Sequence, residues 1–320
     1  MPDAVGPPST ITAALVPAST TTYGPVMVHV VTLVTPAEDS ALEPLVLETA
    51  RWLDVSVSWL QADRAADIIV PSRLLDRVES VLADVVGDHA VDRAVQPIHG
   101  RRKKLLVGDM DSTFITVECI DVLAARAGLG DKVAAITARS IRGELNFSDS
   151  LRERVGLIKG VPESLLQDTW DHDIATTPGA KTLIATMRQH GAITALVSGG
   201  FTWFTQRVTA QVGFDIHHAN TLLTENGVLT GKVAEPILDR DAKRTFLNQI
   251  AREYGLSPSE TITVGDGSND CAMLSHAGTG VAYHGVPAAV AAADMAVDHG
   301  DLTTLLFFQG YSKAEFARPD

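Results

Sequence analysis

Two carboxylates stand at i and i+2 in Asp109-Met110-Asp111-Ser112-Thr113, directly after the apolar run Leu105 to Val107. A turn between them can aim both at one point, with the intervening backbone N–H groups left to hold an anion. Such a pair suits divided labour. Asp109 would attack phosphorus and form an aspartyl-phosphate, while Asp111 would protonate the leaving alkoxide and then activate water. The competing reading is a turn in which one aspartate merely caps the chain.

Three further clusters weigh against that plain reading. Val197-Ser198-Gly199-Gly200 offers a hydroxyl, with glycines that let backbone N–H groups approach a phosphate oxygen, although the same string alone describes an ordinary loop. Lys243 falls in the first turns of a helix expected to start near Asp239, where an ammonium can offset transition-state charge; alone it reads as a surface lysine. Val264-Gly265-Asp266-Gly267-Ser268-Asn269-Asp270 sets Asp266 and Asp270 in a tight turn, as hard oxygen ligands of the type Mg2+ takes. Together with Asp109 and the main-chain carbonyl of Asp111 they would hold one ion per site, lowering the repulsion between an anionic nucleophile and an anionic substrate. Ser198, Gly199, Gly200, Lys243 and Asn269 are assigned to the substrate side.

The elements that must position these groups are legible as short apolar runs, Leu105 to Val107, Ala192 to Val197, Thr261 to Val264 and Thr279 to Ala282, separated by helical stretches. That pattern predicts an α/β fold with a doubly covered parallel sheet, and ligands collect at the carboxyl ends of such strands. The helical segment from about 116 to 176 is too long for a crossover and predicts a cap inserted over the crevice. Asn226-Gly227, inside Leu222 to Leu238, predicts a β-hairpin.

Upstream, Met27 to Val34, Val55 to Leu60, Ala66 to Val70 and His89 to Pro97 read as strands. Ser40 to Trp52 and a stretch through about Val86 capped by Ser72 read as helices. The order βαββαβ is that of a ferredoxin-like α+β sandwich and resembles the small amino-acid-sensing ACT domains. The expected division is therefore a disordered lead-in over 1–25, an ACT-like unit over 26–100 and a catalytic unit over 101–320. The basic run Arg101 to Lys104 at the boundary reads as a solvated edge.

Bulk properties narrow the partners. The chain has 320 residues and a net charge of −13, which disfavours nucleic acid and anionic membranes. Its apolar stretches fall short of the roughly 20 residues of a membrane span. No Lys or Arg precedes Arg51, so the start lacks the basic residues of a secretory or transit signal, and a cytoplasmic protein is expected. Cys119 and Cys271 read as buried small hydrophobes, and His172, His217, His218, His284 and His299 as surface or structural groups, because Mg2+ prefers oxygen.

The four motifs, in this order, resemble the haloacid dehalogenase superfamily: Asp-x-Asp-x-Thr, Ser-Gly, Lys, then Gly-Asp-Gly-x-Asn-Asp. The resemblance implies a Rossmann-like core, Mg2+ and the aspartyl-phosphate route. Inside the cap, Val117-Glu118-Cys119 and Gly143-Glu144-Leu145-Asn146-Phe147, followed by Ser150-Leu151-Arg152-Glu153-Arg154-Val155, are similar to the phosphoserine phosphatases. That likeness implies that Glu118 binds the substrate ammonium, that Arg154 binds its carboxylate and that Phe147 helps close the lid. A salt bridge within the cap between Glu118 and Arg154 or their neighbours is the competing reading.

The expected reaction is hydrolysis of O-phospho-L-serine, a small phosphorylated amino acid, as the last step of serine biosynthesis. The alternative is a phosphatase or phosphotransferase acting on another small phosphorylated metabolite. A purely regulatory relic would have lost Asp109 or Asp111, and both are present. A homodimer and serine binding at the ACT-like unit are further expectations.

Overall fold

A computed structural model of the chain describes residues 28–36 and 41–319, so the expected lead-in over 1–25 lies outside the described residues. The chain opens with β1 (Val28–Val34), α1 (Leu42–Leu53), β2 (Ser56–Gln61), β3 (Ala65–Pro71), α2 (Leu75–Val85) and β4 (Asp92–Pro97). The four strands form an antiparallel sheet in the order β2-β3-β1-β4, that of a ferredoxin-like sandwich. Side chains alternate across β1. Val31 and Leu33 pack with Val46, Leu53, Ile68 and Leu82 beneath the two helices. Val34, with Ala65 and Ala94, instead joins the core of the unit that follows. Burial on both faces explains why β1 reads as a nearly continuous apolar run. Helix α2 starts later than its sequence suggests, because Ser72–Leu74 forms a tight 3-10 turn first; the Ser72 hydroxyl stands 3.2 Å from Nδ1 of His29.

The second sheet begins with β5 (Leu105–Gly108). The cap follows as α3 (Cys119–Arg126), α4 (Gly130–Ile141), α5 (Phe147–Leu157) and α6 (Ser164–Asp173). Its two ends are clamped together: Thr116 N donates to Ala175 O and Thr177 N to Phe114 O, each at 3.0 Å. The chain returns through α7 (Ala180–Gln189), β6 (Ile193–Phe201), α8 (Thr202–Val212) and β7 (Ile216–Asn220). A hairpin of β8 (Leu222–Glu225) and β9 (Val228–Val233) turns at Asn226 and Gly227, with φ of 51° and 78° as a type I′ turn requires. The hairpin braces the cap, since Gly160 N donates to Leu229 O at 2.8 Å and Glu163 N to Gly227 O at 2.9 Å. The remaining elements are α9 (Arg240–Glu253), β10 (Thr261–Gly265), α10 (Cys271–Leu274), β11 (Gly280–Tyr283), α11 (Pro287–Ala292), β12 (Met295–Val297) and α12 (Thr304–Phe308).

These strands form a six-stranded parallel sheet in the order β12-β11-β10-β5-β6-β7. Central β5 is wholly buried, as a doubly covered strand should be. The outer strands β7 and β12 escape the sequence reading: β7 reads Ile-His-His-Ala-Asn, without an apolar run, and β12 has only three residues. Strand β6 also runs past Val197 through Ser198-Gly199-Gly200 to Phe201.

The basic run is a solvated edge only in part, with Arg102 and Lys104 exposed and Arg101 and Lys103 drawn inward. Arg101 reaches Asp67 of β3 at 2.6 Å, with side-chain exposures of 13% and 3%, and Asp67 in turn accepts from Thr32 at 2.7 Å. Lys103 is buried and donates to Ser259 O at 2.8 Å, and Arg102 lies over the Tyr311 ring. Lys104 keeps the expected surface position, paired with Glu260, as does Arg102, paired with Glu315. Arg101 thus serves the junction between the two sheets. Asp92 of β4 completes it by accepting from the backbone N–H groups of Asp298, His299 and Gly300 at 2.8, 3.0 and 2.7 Å.

Candidate active site

Strand β5 ends at Gly108, where the Phe114 ring occupies the space a β-carbon would need. Asp109 follows in extended conformation, with Oδ1 accepting from Met110 N at 2.7 Å. The chain then coils through Met110–Phe114, with Ser112 in the left-handed region at φ 56°. That coil turns Asp111 toward the cap, where its Oδ1 accepts from Cys119 N at 3.0 Å. It also lets the Ser112 hydroxyl donate to Glu118 at 2.9 Å.

Beneath Asp109, the ends of β10 and the start of α9 supply the rest. Asp239 caps α9 by accepting from Asp241 N and Ala242 N, which fixes the first turn that carries Lys243. The Lys243 ammonium stands 2.6 Å from Oδ2 of Asp109 and 2.6 Å from Oδ1 of Asp270, and all three residues are buried. Asn269 donates to Oδ2 of Asp109 at 3.2 Å. Thr113, fully buried, donates to Asp266 at 2.7 Å. Gly265 cannot carry a side chain, because Asp270 lies against it.

A crevice of about 220 Å3 joins these groups to the cap. Asp109, Asp111, Asp266, Asn269 and Ser198–Gly200 line one side, and Glu118, Phe147 and Arg154 line the other. Gly200 N donates to Ser198 Oγ at 2.9 Å, and a β-carbon on Gly200 would come within 2.6 Å of the Asp111 carboxylate. Phe147 lies on Gly199, where a β-carbon would meet its ring at 2.8 Å. All the site residues singled out in the sequence thus converge, with Lys243 and Asp270 in the layer below. The described ion pairs include none between Glu118 and Arg154, although neighbouring Glu153 pairs with Arg139 within the cap; Arg154 Nε donates to Ser150 O at 3.4 Å.

Crowded carboxylates shape the electrostatics. Burial and then the Asp109 charge push both Asp111 and Asp266 up to about 6. The crevice environment, then Asp111 and Asp109, push Glu118 up to about 8, although part of its surface stays open to solvent at the mouth. Asp270 is raised by burial and by Asp109 despite its lysine partner. Burial disfavours the Lys243 ammonium, but the Asp109 and Asp270 carboxylates outweigh it and hold the group above its ordinary range.

Asp109, Asp266 and Asp270 bring carboxylate oxygens within 4.8 Å of one another. This all-oxygen set with no thiol or imidazole fits a hard divalent cation, and one ammonium leaves it net negative. The Asp111 carboxylate lies outside the cluster, consistent with an assignment through its main-chain carbonyl.

The histidines stand elsewhere: His217 bonds Thr205, His218 stacks on Phe246 and His284 contacts Gly300 O. Cys119 is buried as expected, whereas Cys271 is half-buried, because its thiol sits on the short α10 facing Ala288 O.

The model of the haloacid dehalogenase-like hydrolases matches residues 106–275, a span that begins in β5 and ends just past the Asp270 motif. The chain belongs to the haloacid dehalogenase-like hydrolases. Within that family it is 38% identical over 255 residues to a phosphoserine phosphatase of Mycobacterium tuberculosis, covering 79% of this chain and 62% of that one. It is 44% identical over 206 residues to a phosphoserine phosphatase of Lactococcus lactis, covering 64% of this chain and 95% of that one. A crystal structure of a probable phosphoserine phosphatase from Vibrio cholerae, in unliganded form, superposes with a TM-score of 0.72 at 30% identity over 90% of this chain and 88% of that one. The chain spans between 57% and 64% of the length of four curated relatives that it matches.

Two residues of this hydrolase site carry contacts that the sequence reading left unassigned. Thr113 was visible within its motif, but its partner Asp266 lies 153 residues away. Asn220, at the end of the unrecognised strand β7, binds Gly199 and Leu238.

Proposed function

We propose that the chain hydrolyses O-phospho-L-serine to L-serine and phosphate. The observation that carries this reading is the single crevice in which the Asp109–Asp111 pair faces Glu118 and Arg154 of the cap. A guanidinium fork and a carboxylate across a closed site complement the carboxylate and ammonium of an amino-acid head. The similarity to phosphoserine phosphatases on sequence and structure supports the same substrate.

In this mechanism the Asp109 carboxylate attacks phosphorus, and the bond from phosphorus to the serine oxygen breaks. Asp111, whose hold on a proton is strengthened by burial and by the Asp109 charge, gives its proton to the departing alkoxide. The resulting Asp111 carboxylate takes a proton from water as that water attacks the aspartyl-phosphate, freeing phosphate and restoring Asp109. Ser198, the Gly199–Gly200 backbone, Asn269 and Lys243 orient the phosphoryl oxygens, and Phe147 shields the crevice. One Mg2+, held by Asp109, Asp266, Asp270 and the Asp111 carbonyl, would when bound offset the repulsion between nucleophile and phosphate.

The proposal further takes residues 26–100 as an ACT-like unit that binds serine and pairs two chains, in a cytoplasmic protein. The βαββαβ order of β1 to β4 supports the first part, and no described helix is long and apolar enough to cross a membrane.

Phosphate release from phosphoserine, phosphothreonine, phosphoethanolamine and a sugar phosphate, each with Mg2+ and with EDTA, tests the reading. Metal-dependent preference for phosphoserine is expected. Preference for another ester would overturn the substrate and leave the chemistry standing.

A further inference from the structure

We propose that Asn220 is a positioning residue that holds the Ser198–Gly200 loop and the Lys243 helix in one geometry for phosphate transfer. This inference rests on the reading of those two segments as the phosphate-handling parts of the site.

Strands β6 and β7 pair in register at Val197 with His218 and resume at Phe201 with Asn220. Ser198, Gly199 and Gly200 therefore bulge out opposite the single Ala219. A bulge lifts the loop toward the crevice, but it also strips main-chain groups of their ladder partners. Asn220 is 2% exposed, and its amide repairs this gap. Its Nδ2 donates to Gly199 O at 2.9 Å and to Leu238 O at 3.3 Å, while its Oδ1 accepts from Leu238 N at 2.8 Å.

Leu238 immediately precedes Asp239, whose side chain caps α9 and so sets the turn bearing Lys243. One buried amide thereby ties both segments together. The task needs two donors and an acceptor on a short side chain, which asparagine supplies and aspartate, serine or leucine does not. The partners also settle its orientation, since the flipped amide would set its oxygen against two carbonyls.

The test uses the full chain with Mg2+ and the variants Asn220→Asp and Asn220→Ala. Asn220→Asp keeps the shape and the acceptor and removes both donors. Measured are kcat and KM for phosphoserine and for p-nitrophenyl phosphate, inhibition by orthovanadate, and Tm.

Misplacing a reacting group by an ångström costs on the order of 100-fold. Expected is therefore a loss in kcat of about 10- to 100-fold on both substrates, with KM for phosphoserine held within about threefold and vanadate binding weakened in parallel. Wild-type kcat per folded molecule with a lowered Tm would reduce Asn220 to a structural role and overturn the proposal. A loss confined to KM for phosphoserine would overturn it too, by assigning Asn220 to the amino-acid head. Should Asn220→Ala fail to fold, the isosteric Asn220→Asp decides. A wild-type protein inactive on both esters would instead defeat the phosphatase reading, and that outcome is visible before any variant is compared.

Discussion

The ammonium of Lys243 lies 2.6 Å from Oδ2 of Asp109, with side-chain exposures of 3% and 6%. Because the same ammonium also meets Asp270, its removal leaves two buried carboxylates facing each other without a cation. Lys243→Met keeps the length and removes the charge. Breaking a buried ion pair by deleting one partner costs about 3–5 kcal/mol, so urea denaturation in EDTA should show a loss of that order. The kcat should fall by about 100-fold or more, as with the loss of an oxyanion donor.

The crowded carboxylates fix the pH dependence of the metal-free protein. Asp111 and Asp266 at about 6 and Glu118 at about 8 all lie above the ordinary carboxyl range near 4. Between pH ~4 and ~8 these three groups thus bind more protons in the folded than in the unfolded chain, and the stability they contribute falls as pH rises through that window. Glu260, held at about 2 by Lys104, acts below it. Melting in EDTA should therefore show a lower Tm at pH 8 than at pH 5. A divalent ion held by Asp266 and Asp270, both raised, competes with the protons on those two carboxyls, so the Tm gain from added Mg2+ should be larger at pH 8 than at pH 6. A pH-independent gain would separate the ion from these carboxylates.

Arg154 lines the crevice without a carboxylate partner among the described ion pairs, its Nε directed to Ser150 O. Arg154→Ala should raise KM for phosphoserine by about 10-fold or more, the scale of one lost charge-assisted hydrogen bond. Phosphoethanolamine lacks the carboxylate, and its KM should change little. Equal effects on both esters would remove Arg154 from substrate recognition.

At the junction of the sheets, Asp92 is 3% exposed and accepts three backbone N–H groups. Asp92→Ala leaves those donors without their acceptor, at a cost of about 2–4 kcal/mol. Denaturant unfolding should report that loss, while kcat for the folded protein stays near wild type because Asp92 is remote from the crevice lining.

Three of the four candidate motifs were legible because each sits at the end of an apolar strand, where residue type and position coincide; Lys243 gained meaning from them. Asp109, Ser198 and Asp266 can be found from β5, β6 and β10 alone. What stayed hidden depends on pairings between distant segments. Asn220 ends an edge strand without apolar periodicity, and its meaning appears only when the β6 bulge stands opposite it. The run Arg101 to Lys104 carries charges typical of a surface, yet Asp67 and Ser259 draw two of them inward. Composition reports which residues are charged; tertiary contacts decide which of them are buried.

The most direct measurement is an acid quench of the Mg2+-loaded protein during turnover of radiolabelled phosphoserine, followed by peptide mapping. The account predicts an acid-stable, hydroxylamine-labile phosphate on the peptide bearing Asp109, absent in Asp109→Asn. Turnover of phosphoserine that persists in Asp109→Asn, or label on another residue, would contradict it.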